Sequence, residues 1–215
     1  VAVVPDAFLL HGTWGADGTI LIGSAQGATI FSVPAAGGTL KPLLTPTRAK
    51  GETRVHWPLF LPDGKRFLYL TRLEDGGGEL KLTEPGGSAR PIAPMVSNVQ
   101  WVDPDYLLFV RDGVLLAQRF DLSRERLVGE PISVAEPVDY HFTIGRAMFT
   151  ASRNGTIAYH SHTDVSRLVW SDRTGREVGT LGAPGGYQNL RISPDGRSLL
   201  FDRTKPGIGT WDLWT

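Results

Sequence analysis

Apolar residues along this chain come in short consecutive runs rather than in a helical stripe. Ile20-Leu21-Ile22, Phe67-Leu68-Tyr69-Leu70, Leu107-Leu108-Phe109-Val110 and Leu199-Leu200-Phe201 are each apolar at neighbouring positions. No 3.6-residue period runs through them, so they read as strands. Strict alternation marks a strand with one wet face, whereas a run apolar at successive positions marks a strand covered on both faces. Each run follows a turn signal. The stretches WGADGTILIGS from Trp14, FLPDGKRFLYLTR from Phe60 and ISPDGRSLLFDR from Ile192 place an apolar residue three positions before Asp-Gly. ASRNGTIAYHS from Ala151 is a fourth copy, with Asn154-Gly155 at the turn, and WVDPDYLLFVR from Trp101 is a degenerate fifth. Asp-Gly and Asn-Gly tolerate positive φ and close tight hairpins whose twist matches the flanking strands.

The turn residues Asp17, Asp63, Asp103, Asn154 and Asp195 recur at steps of 46, 40, 51 and 41 residues. That spacing is too long for ankyrin or tetratricopeptide units and fits the roughly 40–50 residues of a four-stranded propeller blade. A third strand follows in each unit, at Thr29 to Val33, Leu80 to Thr83, Val114 to Phe120, Arg167 to Ser171 and Thr210 to Trp214. A more polar fourth strand follows at Thr39 to Leu44, Ala89 to Ala93, Pro131 to Ala135 and Glu177 to Leu181, as an outer edge requires. Residues 121–130 read as an insertion in the third unit. The expected fold is therefore all-β, a β-propeller of about five four-stranded antiparallel blades at 11–45, 55–93, 98–136, 146–182 and 187–215. Residues 1–5 form a candidate outer strand. Two closures are open: a five-bladed ring latched by Val1 to Val4, or, as preferred, an arc of a six- to eight-bladed ring in a larger protein.

Composition narrows the function. Lys plus Arg and Asp plus Glu both total 22, so the chain has no basic footprint and a nucleic-acid partner is not expected. Cysteine is absent, which removes disulfides and thiolate chemistry. No apolar run approaches the roughly 20 residues of a membrane span, so this segment is not expected to insert. With 26 Gly and 15 Pro among 215 residues, turns are frequent.

SPDGRSLLF at Ser193 to Phe201 and LPDGKRFLYL at Leu61 to Leu70 resemble the blade signature of TolB-like, WD-related bacterial propellers. HGTWGADGTILI from His11 and VHWPLFLPDGKRFLYL from Val55 resemble the propeller regions of membrane-anchored bacterial serine/threonine kinases. The resemblance implies an extracytoplasmic sensing or protein-interaction module, covalently part of a larger signalling chain. No kinase residues carry over: a Gly-rich phosphate loop, H-R-D and D-F-G are all missing. Similar propellers gate prolyl-oligopeptidase-type peptidases, but the G-x-S-x-G elbow of that hydrolase is also missing.

Candidate sites follow from position. Propellers of this kind bind on loops joining a fourth strand to the next first strand, here Pro46 to His56 and Glu136 to Arg146. The first loop offers Arg48 and Arg54 with Lys50 as a small cationic patch, followed by His56 and Trp57. The second offers Tyr140, His141 and Phe142, aromatic groups on a loop. A loop folded back to plug the channel mouth is the competing reading. His160 and His162 have strand spacing suited to a metal, but no carboxylate sits at ligand spacing, and a polar strand end is preferred. The six tryptophans mostly occupy equivalent blade positions, which favours packing over a carbohydrate platform. Asn154-Gly155-Thr156 matches a glycosylation sequon that its turn already explains. Asp172, Asp202 and Asp212 read as turn or surface carboxylates. The leading expectation is a non-catalytic protein- or peptide-binding module with no cofactor and no metal. The alternative is a propeller hydrolase or lactonase whose channel ligands would be residues such as Glu52, Asn98 or Asn189, or a peptidase gate.

Overall fold

In the computed structural model of the chain, the residues described are 9–24, 28–141, 144–161, 166–193, 195–196, 198–204 and 211–215. Strands dominate them, with a 3-10 turn at Arg48–Lys50. The first unit is a four-stranded sheet of β1 (Leu9–Trp14), β2 (Thr19–Ser24), β3 (Ile30–Pro34) and β4 (Lys41–Leu44), in that order. The second is β5 (Glu52–Phe60), β6 (Phe67–Leu73), β7 (Gly78–Thr83) and β8 (Arg90–Pro94). The third is β9 (Gln100–Val102), β10 (Tyr106–Arg111), β11 (Val114–Asp121) and β12 (Arg126–Ala135). A short hairpin, β13 (Tyr140–His141) with β14 (Arg146–Ala147), leads into the fourth unit. That unit holds the pair β15 (Phe149–Ala151) and β16 (Ile157–Tyr159) and the pair β17 (Ser166–Ser171) and β18 (Glu177–Gly185). Three strands, β19 (Tyr187–Ile192), β20 (Leu199–Thr204) and β21 (Trp211–Trp214), make the last sheet. Every pairing is antiparallel between chain neighbours, the meander of a β-propeller blade.

The hairpin turns form for the expected reason. Asp17 accepts a hydrogen bond from the Thr19 N–H (2.9 Å), and Asp63 accepts from the N–H groups of Lys65 and Arg66. Such a side chain mimics a backbone turn and fixes the chain reversal. Gly64 sits at φ 66°, and a Cβ there would lie 2.5 Å from the Ala16 Cβ, so glycine lets the first two units touch at their turns.

The consecutive apolar runs are covered on both faces. Phe67 and Tyr69 of β6 pack back onto Leu21 and Ile30 of the first unit. Leu68 and Leu70 of the same strand pack forward with Leu107, Phe109 and Phe120 of the third. Leu108 and Val110 of β10 then pack forward onto Val138, Ala147 and Phe149. Alternate residues of one strand thus serve two different interfaces, and each large side chain fully buried contributes about 1.5–3 kcal/mol. The apolar residues of the last units are less covered: Ile192, Leu213 and Trp214 are 57%, 69% and 48% exposed.

Two elements differ from the sequence reading. The expected insertion at 121–130 is mostly strand, because β12 starts at Arg126 and pairs Leu127 with Phe120. Gln118 donates its amide to the Gly129 carbonyl (2.6 Å), carrying the ladder past a glycine that breaks the apolar pattern. The expected loop before the second unit is shorter, since β5 begins at Glu52. Buried Glu52 pairs with Lys81 (2.5 Å) and accepts from the Thr47 N–H (2.8 Å), which fixes that strand start. The candidate outer strand at 1–5 lies outside the described residues.

Candidate functional site

The inner strands β1, β5, β9 and β15 bring one edge of each of the first four units to a common cleft of about 570 Å³. It runs toward the ends of these strands, where the first hairpin turns gather. Exposed Trp14, Pro62 and Arg153 form its rim, and His11, Trp57, Asn98 and Gln100 lie among its walls.

The polar side chains of the walls stitch neighbouring units together. His11 Nε2 accepts from the Trp57 N–H (3.1 Å), and Thr13 Oγ1 accepts from the Phe60 N–H (3.2 Å). Asn98 Oδ1 accepts from the Ala147 N–H (2.6 Å), and Gln100 Oε1 accepts from the Ala151 N–H (2.6 Å). In both cases two acceptors two residues apart, on or just before one inner strand, satisfy two backbone donors on a strand further round, or, for Ala147, on the β14 hairpin that precedes it. An edge strand facing a channel leaves such donors exposed, and these side chains supply the missing partners.

Trp57 is the pivot of the opposite end. Its φ is 54°, rare for a bulky residue, and the β5 register shifts between His56 and Leu59. The bulge turns the indole onto the His11 ring, with centroids 3.8 Å apart and planes 20° from parallel. Its Nε1 donates to the Ile144 carbonyl (2.8 Å). The Tyr140 hydroxyl donates to the Val96 carbonyl (2.7 Å), and the Asn98 N–H donates to the Gly145 carbonyl (3.0 Å). The segment around β13 and β14 is therefore folded back over this end of the channel. Glycine is required beneath it: at Gly145 (φ 62°) a Cβ would lie 2.8 Å from the Val96 carbonyl oxygen and 3.0 Å from His56 Cε1.

Burial governs the titration of this end. Desolvation, with the nearby Arg146 charge, lowers His11 to about 3. Desolvation, assisted by His11, Arg54 and Arg72, likewise lowers His56 to about 3, against a hydrogen bond with the Ile144 backbone. Both rings are neutral at physiological pH. Because His11 Nε2 accepts a proton bond, its proton resides on Nδ1. Burial alone would raise the Glu52 carboxyl, but Lys81 and the Thr47 N–H outweigh it and hold it below its ordinary range.

The sequence-derived candidates separate by position. His56, Trp57 and Tyr140 meet at the plugged end, with His56 buried and Tyr140 half-buried. Arg48 and His141 are exposed nearby in chain order, Arg54 is half-buried, and Phe142 lies outside the described residues. Of the residues named for a channel enzyme, Glu52 is held by Lys81, and Asn98 bonds Ala147. Nothing of the Asn189 side chain is described. His160 bonds Asp139 (2.7 Å), and His162 lies outside the described residues. Among the described residues, no three His, Asp or Glu side chains are grouped to hold a metal ion. His11, Thr13, Trp14, Gln100 and Arg153 were not singled out from sequence. Their signal was the shared spacing of His11-x-Thr13 and Asn98-x-Gln100 at the start of a unit.

No family model matches the chain, and no curated protein matches it. Solved structures do. TolB from Acinetobacter baumannii superposes with a TM-score of 0.54 at 18% identity, over 96% of this chain. The chain spans about half of that protein, 54% of its length. A luciferin-regenerating enzyme superposes with a TM-score of 0.52 at 11% identity, over 96% of this chain and 73% of the other. Likeness at such identities defines the fold alone: this chain is a β-propeller, similar in fold to TolB and to the luciferin-regenerating enzyme.

Proposed function

We propose that this chain is a non-catalytic binding module that receives a protein or peptide segment at the open mouth of its channel. The observation that carries the reading is the cleft itself. It is about 570 Å³, ends in a rim with Trp14 66% exposed, and is closed behind by the Trp57–Ile144 plug. A large aromatic side chain held at the mouth of a rigid concave site supports use as an anchor for a partner. The wall residues His11 and Asn98, and Glu52 at the start of β5 outside the cleft lining, could have acted as bases or ligands but already hold structural partners. His56, Trp57 and Tyr140 serve the site by fixing the plug. Arg48, Arg54 and His141, in or beside the two loops read from the sequence, offer a partner a secondary surface, and Phe142 lies outside the described residues. The blade resemblance supports an extracytoplasmic position within a larger bacterial signalling protein.

A photoreactive benzoylphenylalanine at Trp14 is expected to cross-link the partner in the native host, and one at exposed Val178 of β18 is not. Equal adducts from both positions would overturn the assignment of the mouth. An alkaline-phosphatase fusion at Thr215 of the native gene tests the position: an inactive fusion trapped in the cytoplasm removes the extracytoplasmic reading.

A further inference from the structure

We infer that the channel mouth selects a hydrogen-bond acceptor, and specifically a peptide segment presenting a carboxylate beside an apolar residue. The inference rests on the binding role just proposed and names the chemistry of its ligand.

The selectivity follows from the stitch. A backbone N–H can be accepted by an amide oxygen but not by an amide nitrogen, so the bonds to Ala147 and Ala151 fix which way Asn98 and Gln100 are turned. Their oxygens are occupied. What each side chain retains for a ligand is its NH₂ group, and among the described residues neither nitrogen has a protein partner. Thr13 repeats the arrangement: Oγ1 accepts from Phe60 and retains its hydroxyl proton. The indole N–H of exposed Trp14 likewise has no protein partner among the described residues. Among the described residues that line the cleft, Arg153 is the one charged side chain.

A carboxylate does stand near that charge. Asp103 Oδ1 meets Arg153 Nη2 at 3.2 Å, but it also accepts from Trp101 Nε1 at 2.9 Å. The Arg153 side chain remains 66% exposed, and its other guanidinium N–H groups are available. The side-chain chemistry offered to a ligand is thus a set of donors that includes a guanidinium. A sugar hydroxyl needs donors and acceptors together, and a lysine needs acceptors. A carboxylate needs donors alone and gains charge-assisted bonds from Arg153. Trp14, lining the same cleft, supplies the apolar contact.

The test uses the full 215-residue chain and an mRNA-displayed library of random peptides, followed by titration of enriched peptides by calorimetry. Enriched sequences are expected to carry Asp, Glu or a free C-terminal carboxylate next to an apolar residue. Converting that carboxylate to its amide should weaken binding about tenfold or more, the loss of one charge-assisted bond. Two protein variants separate ligand chemistry from folding. Gln100→Glu and Asn98→Asp keep an oxygen for the Ala151 and Ala147 N–H groups while replacing the NH₂ donor with an acceptor. Both should lose the acidic peptides while still unfolding in one cooperative transition, and Arg153→Gln should weaken them. Enrichment of basic or uncharged peptides, or acidic peptides indifferent to Gln100→Glu and Arg153→Gln, overturns this inference and leaves peptide binding standing. No enrichment above a Trp14→Ala control overturns the peptide-binding role, and the inference falls with it.

Discussion

Acidification from pH 6.5 to 5.0 is expected to destabilise the folded chain by about 3 kcal/mol through His11 and His56 alone. Both rings have an ordinary value of 6.5 and are lowered to about 3 in the folded protein, chiefly by burial. Between those values the unfolded chain binds two protons that the folded chain refuses. Unfolding therefore takes up protons, and stability rises with pH across this window. Each ring contributes about 1.4 kcal/mol per pH unit, approached once the unfolded ring is mostly protonated. The carboxylates do not share the window. Glu52 and Asp63 have ordinary values of 4.5 and 3.8 and are lowered on folding, so their stabilisation is lost only at more acid pH. Urea unfolding followed by tryptophan fluorescence at pH 7.5, 6.5, 5.8 and 5.0 measures the slope. His56→Leu should remove about half of it. An unfolding free energy that changes by less than about 1 kcal/mol between pH 6.5 and 5.0 would refute the neutral, buried state of both rings.

Further substitutions probe the stitch and the core. Gly23→Ala places a Cβ 2.1 Å from His11 Cε1, so the ring must leave its stack on Trp57, at a cost of about 1–3 kcal/mol in thermal or urea denaturation. Gln100→Leu strands the Ala151 N–H and should cost about 1–3 kcal/mol, whereas Gln100→Glu should cost much less. Phe120→Ala empties a fully buried position and should cost about 3–5 kcal/mol, whereas Trp14→Ala at the rim should stay within about 0.5 kcal/mol. Arg66→Ala removes ion pairs to Asp63 and Glu125 that are more than a quarter exposed, and a loss below about 1 kcal/mol is expected from the charges themselves.

The blades were legible because their signals are local. Asp63-Gly64 followed by Phe67 to Leu70 carries the turn, the strand and its two buried faces within eight residues, and the structure places Phe67 and Leu68 in different cores. The length of β12 was obscured by Gly129 and Glu130, which interrupt the apolar pattern at a register shift, beyond which the ladder resumes at Ile132. The site was harder to read because its contacts are distant. Trp57 meets His11 across 46 positions and Ile144 across 87. Periodicity reports which face of a strand is buried, and it does not report which remote backbone group a histidine or glutamine satisfies. The loop at 140–146 shows the limit well: its aromatic composition is compatible with an exposed surface, but Tyr140 directs its hydroxyl to Val96.

The bond from Trp57 to Ile144 also bears on how the chain folds. In a stack of repeats, each unit touches its neighbours, stability is nearly a sum of nearest-neighbour terms, and one end can fray without the rest. This strap passes over the third unit to join the second to the entrance of the fourth. Its closure requires three hairpin-built sheets to be in place first, so it forms late and contributes little to the folding nucleus. Once formed, it makes fraying of the fourth unit a cost borne in the second. A one-dimensional array thereby gains a non-neighbour coupling, and unfolding of its first four units becomes more nearly all-or-none.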